Sequence, residues 1–167
     1  MKMPRNSDRS GSVMLEFTLT AVPLIFVNVS LVWMCLGMWQ YHTLAEAVNF
    51  TARIAAVHGA GCAGQTCATT ADSTAKLLAA RALGISAGQL NVTLTSSAST
   101  ITCNPLSTCY GNTAAWPSLA GNTSGTDITI TATYNFSSPI SLWSPGEGVQ
   151  QFNAVTLGAN SKQAVAF

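Results

Sequence analysis

Between Glu16 and Glu46 the chain carries no formal charge, and within that stretch Phe17 to Tyr41 make a mostly apolar run of 25 residues. As a helix such a run reaches roughly 37 Å at about 1.5 Å per residue. A bilayer hydrocarbon core is about 30 Å thick, so the run is long enough to span it with some tilt. The polar interruptions are Thr18, Thr20, Asn28, Ser30 and Gln40. Hydroxyls can bond back to helix carbonyls and are tolerated in lipid, whereas Asn28 is more costly and is expected to face a partner helix. Trp33, Trp39 and Tyr41 gather at the far end, where an interfacial aromatic belt would lie.

The charges outside the run set an orientation. Lys2, Arg5 and Arg9 precede it with only Asp8 opposing them, so the N-terminus is expected in the cytoplasm and everything after Tyr41 outside. A cleavable secretory signal fits poorly, because the run exceeds the usual 7–15 apolar residues and no A-x-A site follows it. Only 8% of the 167 residues are charged and the net charge is +1. A soluble domain usually has about 25% charged residues, and a nucleic-acid partner would need a basic surface this chain lacks. Seventeen Ser and twenty Thr carry the polarity instead, which suits a membrane-linked or extracytoplasmic chain.

Glu16 sits at the edge of the apolar run, where an ionised carboxylate costs several kcal/mol unless it is paired. Its context is Gly11-Ser12-Val13-Met14-Leu15-Glu16-Phe17. Cleavage after Gly11 would make Ser12 the new N-terminus and supply an ammonium able to pair with Glu16, in the same chain or in a neighbour. Basic leader, glycine, four residues, glutamate, an aromatic and a long apolar helix together resemble a type IV prepilin. The nearer resemblance is to the TadE-like pilins and pseudopilins of tight-adherence (Tad/Flp-type) systems. It rests on Gly11–Phe17, on Pro23 seven residues after Glu16, and on Leu44-Ala45-Glu46-Ala47-Val48 leading to Ala52-Arg53-Ile54-Ala55-Ala56-Val57. Ser12 departs from the Phe that many type IV pilins carry at the first mature position.

The resemblance implies a processing site at Gly11 and Ser12, and an assembly role for Ser12, Glu16 and Phe17. Its implied partners are other pilin or pseudopilin subunits, a prepilin peptidase, an inner-membrane assembly platform with its ATPase, and membrane lipid. Pro23 lacks a backbone donor and is expected to kink or loosen the helix around Leu19–Pro23.

Beyond the run the helix is expected to continue. Leu44, Val48, Thr51, Ile54 or Ala55, and His58 recur on one face. Ala45, Ala47, Ala52, Ala55 and Ala56 would let neighbouring helices come close, Glu46 and Arg53 fall on solvent or partner surfaces, and Gly59 and Gly61 end the helix. The outer compartment permits disulfides. Cys62–Cys67 and Cys103–Cys109 would close two short loops, and a crossed pairing would tie the helix exit to the later loop; the local pairs are favoured. Cys35 would stay free in the membrane.

Further along, Thr69-Thr70-Ala71-Asp72 reads as a helix start, Asp72–Leu83 as a helix and Gly84 as its cap. Leu90–Thr95, Thr100–Cys103 and Asp127–Phe136 read as strands, the last with a clean two-residue alternation. A final strand is expected within Phe152–Phe167. Asn104–Gly125, and the stretch bracketed by Pro139 and Pro145, read as loops.

Two motifs invite a chemical reading. His58, Cys62 and Cys67 could suggest zinc, but the spacing is not that of a finger and there is no CxxC. Gly84-Ile85-Ser86-Ala87-Gly88 matches G-x-S-x-G, yet that elbow needs a strand before the serine, a helix after it and a downstream histidine. Here a helix precedes, a strand follows, and His42 and His58 are both upstream.

The expectation is therefore an α+β chain with three parts. Residues 1–11 are a leader, 12–59 a transmembrane and assembly helix, and 60–167 a β-rich extracytoplasmic domain with one further helix. It would be a single-pass inner-membrane protein able to enter an extracellular pilus, with no catalytic residues, metal or cofactor. The alternative is a membrane-tethered extracytoplasmic binding module.

Overall fold

The computed structural model describes residues 9–59, 69–137, 141–144, 148–151 and 155–165. Helix α1 is Arg9–Val57 and helix α2 is Ala71–Arg81. The strands are β1 Leu90–Ser96, β2 Thr100–Cys103, β3 Asp127–Phe136, β4 Ser141–Ser144, β5 Gly148–Gln151 and β6 Val155–Ala164. The chain forms two compact units, Met1–Gly37 and Met38–Phe167.

In the first unit every described residue is helical. The helix assignment runs unbroken through Pro23; proline has no N–H, so the Leu19 carbonyl loses its usual partner four residues on. Among the described residues α1 is the one helix long and apolar enough to cross a membrane.

The second unit begins with the last five turns of α1. Leu44, Ala47, Val48, Thr51, Ala52, Ala55 and Ala56 are buried on one face, the spacing an amphipathic helix requires. The alanines at 47, 52, 55 and 56 lie in one buried cluster with Ala75 and Leu78 of α2. The expectation for this face needs one correction. His58 is exposed and lies past the helix end at Val57.

Helix α2 starts where its sequence allows. Thr70 Oγ1 accepts from the Ser73 N–H at 3.1 Å, and the Thr70 N–H donates to Ser73 Oγ at 2.8 Å. This reciprocal box satisfies donors that a helix start leaves free. One turn on, Lys76 Nζ lies 2.8 Å from Asp72 Oδ2. The helix ends earlier than expected: Ala82 is its C-cap, and Gly84 follows in the turn with φ +79°, a conformation L-residues disfavour. Ala71, Thr74, Ala75 and Leu78 are the buried face.

The main sheet has the order β2-β1-β3-β6 and is antiparallel throughout. Val92 stands opposite Cys103 on one side and Ala132 on the other, and Ala132 in turn opposite Ala159. Period-two alternation sends Leu90, Val92, Leu94, Ile128, Ile130 and Ala132 into the core. Thr93, Thr95, Thr129, Thr131 and Thr133 take the other face, where β-branched side chains suit a half-covered sheet. Complete burial of each large aliphatic side chain contributes about 1.5–3 kcal/mol.

Trp116, in the stretch expected as a loop, is fully buried in this core. Its backbone N–H donates to the Thr69 carbonyl at 3.0 Å, and Thr69 Oγ1 donates to the Trp116 carbonyl at 2.7 Å. The same stretch holds two short 3-10 turns, Leu106–Cys109 and Leu119–Gly121. The segment between Pro139 and Pro145 is a further correction. Ser141–Ser144 there form strand β4, which pairs with β5 in a register that sets Trp143 opposite Val149 along the backbone. Prolines bound a short strand as readily as a loop, because only interior strand positions need the N–H.

Candidate functional site

The residues singled out at the N-terminal end lie on α1 within the first unit. Gly11 and Ser12 are in its helical backbone. Phe17 is 71% exposed, and Val13, Met14, Leu15 and Leu19 are exposed to a similar degree. Glu16 is exposed among them. A long helix with apolar residues on every side and no protein covering them needs lipid or other helices around it.

The polar side chains of this stretch are satisfied by their own helix. Thr18 Oγ1 donates to the Met14 and Leu15 carbonyls at 3.1 and 3.0 Å, and Thr20 Oγ1 donates to the Glu16 carbonyl. Asn28 Nδ2 donates to the Leu24 carbonyl, and Ser30 Oγ to the Phe26 carbonyl, both at 2.8 Å. The Asn28 amide donor thus finds a carbonyl one turn back in its own helix. The hydroxyl bonds make the stretch less polar than its composition suggests. Glu16 is thereby left as the one ionisable carboxylate in the described part of this unit.

In the second unit, Trp39 and Gln40 pack at the α2–β1 turn. Gln40 Nε2 donates to the Gly84 carbonyl at 3.2 Å, and a Cβ on Gly84 would come within 2.8 Å of the Trp39 ring. Trp39 is 47% exposed, so its ring serves the fold as well as any interface. The outer face of α1 carries a shallow depression of about 510 Å³ lined by His42, Ala45, Glu46, Asn49, Phe50 and Arg53. Arg81 of α2 stacks its guanidinium 3.5 Å from the Phe50 ring centre, a cation–π contact. Sequence reading missed this contact, although Phe50 and Arg81 each sit at an exposed edge of a helix whose other face is apolar.

Cys103 and Cys109 form a disulfide, as expected, with Cα atoms 5.5 Å apart. It ties the end of β2 to the first 3-10 turn, and both cysteines are buried. Cys35 is free. Cys62 and Cys67 lie outside the described residues.

The G-x-S-x-G motif falls in the turn between α2 and β1. Ser86 is exposed between α2 and β1, and its Oγ accepts from the Gly88 N–H at 3.4 Å. The imidazole of His58 contacts the Ile54 carbonyl at 3.2 Å. Among the described residues no group of three His, Cys, Asp or Glu side chains gathers to hold a metal. The carboxyl of Asp72 is held below the usual carboxylate range, first by the bond from Lys76 and then by the Gly111 N–H, which donates to Oδ1 at 2.8 Å. That arrangement joins α2 to the loop after the disulfide and serves the fold.

No curated protein and no solved structure shows a significant match to this chain. A family model, described as TadE-like protein, matches residues 11–53. The match starts at the glycine before Ser12, takes in Glu16, Phe17 and Pro23, and ends on the buried-faced part of α1 at Arg53. Residues 11–53 of this α+β chain are thus a TadE-like segment, similar to that family from its first glycine to the charged face of its helix.

Proposed function

We propose that the protein is a TadE-like minor pilin or pseudopilin of a tight-adherence pilus, acting by assembly and not by catalysis. The family match over residues 11–53 is the observation that carries this reading. In it, a prepilin peptidase cuts between Gly11 and Ser12. The helix of residues 12–59 first anchors the chain in the inner membrane, with its N-terminus cytoplasmic and residues 60–167 outside. The same helix then packs among other pilin or pseudopilin subunits on an assembly platform.

Glu16 is the residue on which this mechanism turns. The exposed apolar surface around it must be covered in an assembly, and a covered carboxylate needs a cation. Cleavage creates one at Ser12. Pro23 supports the transfer, because a missing hydrogen bond softens the helix one turn above the pair. No step in this mechanism calls for a metal, a cofactor or a nucleophile.

Mass spectrometry of the protein from membranes and from sheared filaments tests the reading. The expected mature N-terminus is Ser12, and Glu16→Gln is expected to reach the membrane normally yet be depleted from filaments. Breaking a buried charge pair costs about 3–5 kcal/mol, or a hundredfold or more in incorporation. Residues 1–11 retained on membrane protein that never enters filaments would instead support a membrane-tethered binding module.

A further inference from the structure

We infer that the turn between α2 and β1, led by Leu83, is a second lipid contact that rests the Met38–Phe167 unit on the headgroup layer of the bilayer, beside the exit of α1. The inference rests on the membrane-anchored reading of α1 above and goes beyond it by naming the lipid-facing end of the folded unit. Among the described residues of that unit eight large apolar side chains are exposed, and Met38, Trp39, Tyr41 and Leu83 are four of them. The first three belong to the end of the apolar run. Leu83, 59% exposed, is brought to them by the fold. Helix α2 runs back along α1: Thr74 and Leu77 share a depression with Thr51 and Ile54, whereas Ala80, Arg81 and Leu83 share one with Thr43 and Glu46. The Thr43 hydroxyl is shared between the Gln40 and Leu83 carbonyls, at 3.0 and 3.4 Å. The next carbonyl, of Gly84, accepts from Gln40 Nε2.

The turn has the chemistry such a contact requires. Residues Leu83–Gln89 carry no formal charge. Backbone polar groups that approach hydrocarbon must be bonded within the protein. Here the Leu83 N–H donates to the Arg81 carbonyl at 2.8 Å, the Ile85 N–H to the Ala82 carbonyl at 3.2 Å and the Gln89 N–H to the Ser86 carbonyl at 3.0 Å. The Leu83 and Gly84 carbonyls are taken by α1. Ile85 is buried, so the large apolar side chain that the turn offers outward is Leu83. The apolar run of 25 residues is longer than the about 20 that cross a hydrocarbon core. Trp39 and Tyr41 are thereby left for the headgroup layer, where aromatic belts lie, and a leucine held beside Gln40 and Thr43 lies at the same level. The far end of the unit differs. Val57 is 17 residues beyond Gln40 on α1, roughly 25 Å away. The exposed Leu119 lies there too, in the 3-10 turn whose C-cap, Asn122, packs against Gly59. Leu83 therefore meets lipid, and Leu119 meets water.

Fluorescence quenching in the full-length chain tests this. An environment-sensitive fluorescent amino acid replaces Leu83, Ser86, Leu119 or Val27 in turn. Each protein is reconstituted in phosphatidylcholine–phosphatidylglycerol vesicles whose acyl chains carry bromine either near the headgroup or near the chain end. The probe at position 27 reports whether α1 spans, and is expected to be quenched by the deep bromines. The probes at 83 and 86 are expected to lose fluorescence to the shallow bromines more than to the deep ones, while the probe at 119 keeps its fluorescence with both. Ser86 is exposed in the same turn, so its probe leaves Leu83 in place. Adding Leu83→Asp to the protein labelled at 86 is expected to weaken the shallow quenching, because a carboxylate is expelled from the layer that a leucine enters. Quenching at 27 without quenching at 83 and 86 overturns the inference and leaves the membrane-anchored reading standing. Equal quenching at 83 and 119 overturns it as well, and no quenching at 27 overturns both. Emission at 83 that responds to protein density in unbrominated vesicles, and not to bromine, assigns the turn to a second copy and overturns the lipid contact.

Discussion

Substituting Ala52 by leucine separates the face of α1 that belongs to the fold from the face left for partners. Ala52 is fully buried, with Val48 one turn before it and Ala55 and Ala56 one turn after it. Leucine adds three carbons where the alanines keep α1 close to the rest of the core. Overpacking a filled core costs about 1–3 kcal/mol. The unfolding unit is Met38–Phe167, 130 residues. At about 2.1 cal/mol/K per residue its unfolding entropy is about 0.27 kcal/mol/K, which turns the cost into a fall in Tm of about 4–11 °C. Asn49→Leu, three residues earlier on the exposed face, changes stability by less than about 0.5 kcal/mol and so Tm by less than about 2 °C. The assay is thermal melting of the full chain in detergent micelles, followed by near-ultraviolet circular dichroism, to which buried Trp116 contributes. An Ala52→Leu protein that melts with wild type would refute the assignment of this face to the chain's own core. Equal losses from both substitutions would do the same.

Three further outcomes are expected. Thr70→Ala removes the hydroxyl that accepts from Ser73 and should cost about 1 kcal/mol, read as a lower urea midpoint with an unchanged slope. The Asp72 carboxyl titrates lower in the folded chain than in the unfolded one, so its stabilisation is present above the ordinary carboxylate range and is lost as pH falls through the depressed folded value. Asp72→Asn should therefore be less stable than wild type at neutral pH, and denaturant midpoints of the two should converge in acid; a constant gap would refute the charge explanation. Replacing Cys103 and Cys109 together by alanine opens a loop of sequence separation 6 and should cost about 2–3 kcal/mol by loop entropy, checked by urea unfolding with and without reductant.

Much of the architecture was legible because it depends on local periodicity. Strand β3 was bounded at Asp127 and Phe136 by an alternation of Ile128, Ile130 and Ala132 with threonines, and the register of β1 repeats it. The start of α2 was readable from the hydroxyls of Thr70 and Ser73, which cap in place. What sequence did not disclose were facts about position in three dimensions. Nothing local says that Trp116, amid Gly, Asn, Ser and Pro, closes the core, since the two hydrogen bonds that hold it come from Thr69, 47 residues away. Nor does helical spacing say whether an alanine face meets its own domain or another chain; α2 and the sheet decide that. Strand β4 was hidden because its few apolar residues are too short a run to show a period. At the candidate site the motif around Glu16 was fully visible, being contiguous.

The strand order β2-β1-β3-β6 also has a consequence in time. A chain delivered N-terminus first presents the buried face of α1, then α2, then β1, β2 and β3, each beside a partner that has already arrived. Strand β6 comes last and adds to an open edge of β3, so no strand has to be inserted between two that are already paired. After it, the Val165 N–H closes onto the Thr126 carbonyl at 2.9 Å. The sheet can thus be completed progressively as the chain emerges, with the Val165–Thr126 bond formed after β6 is in place.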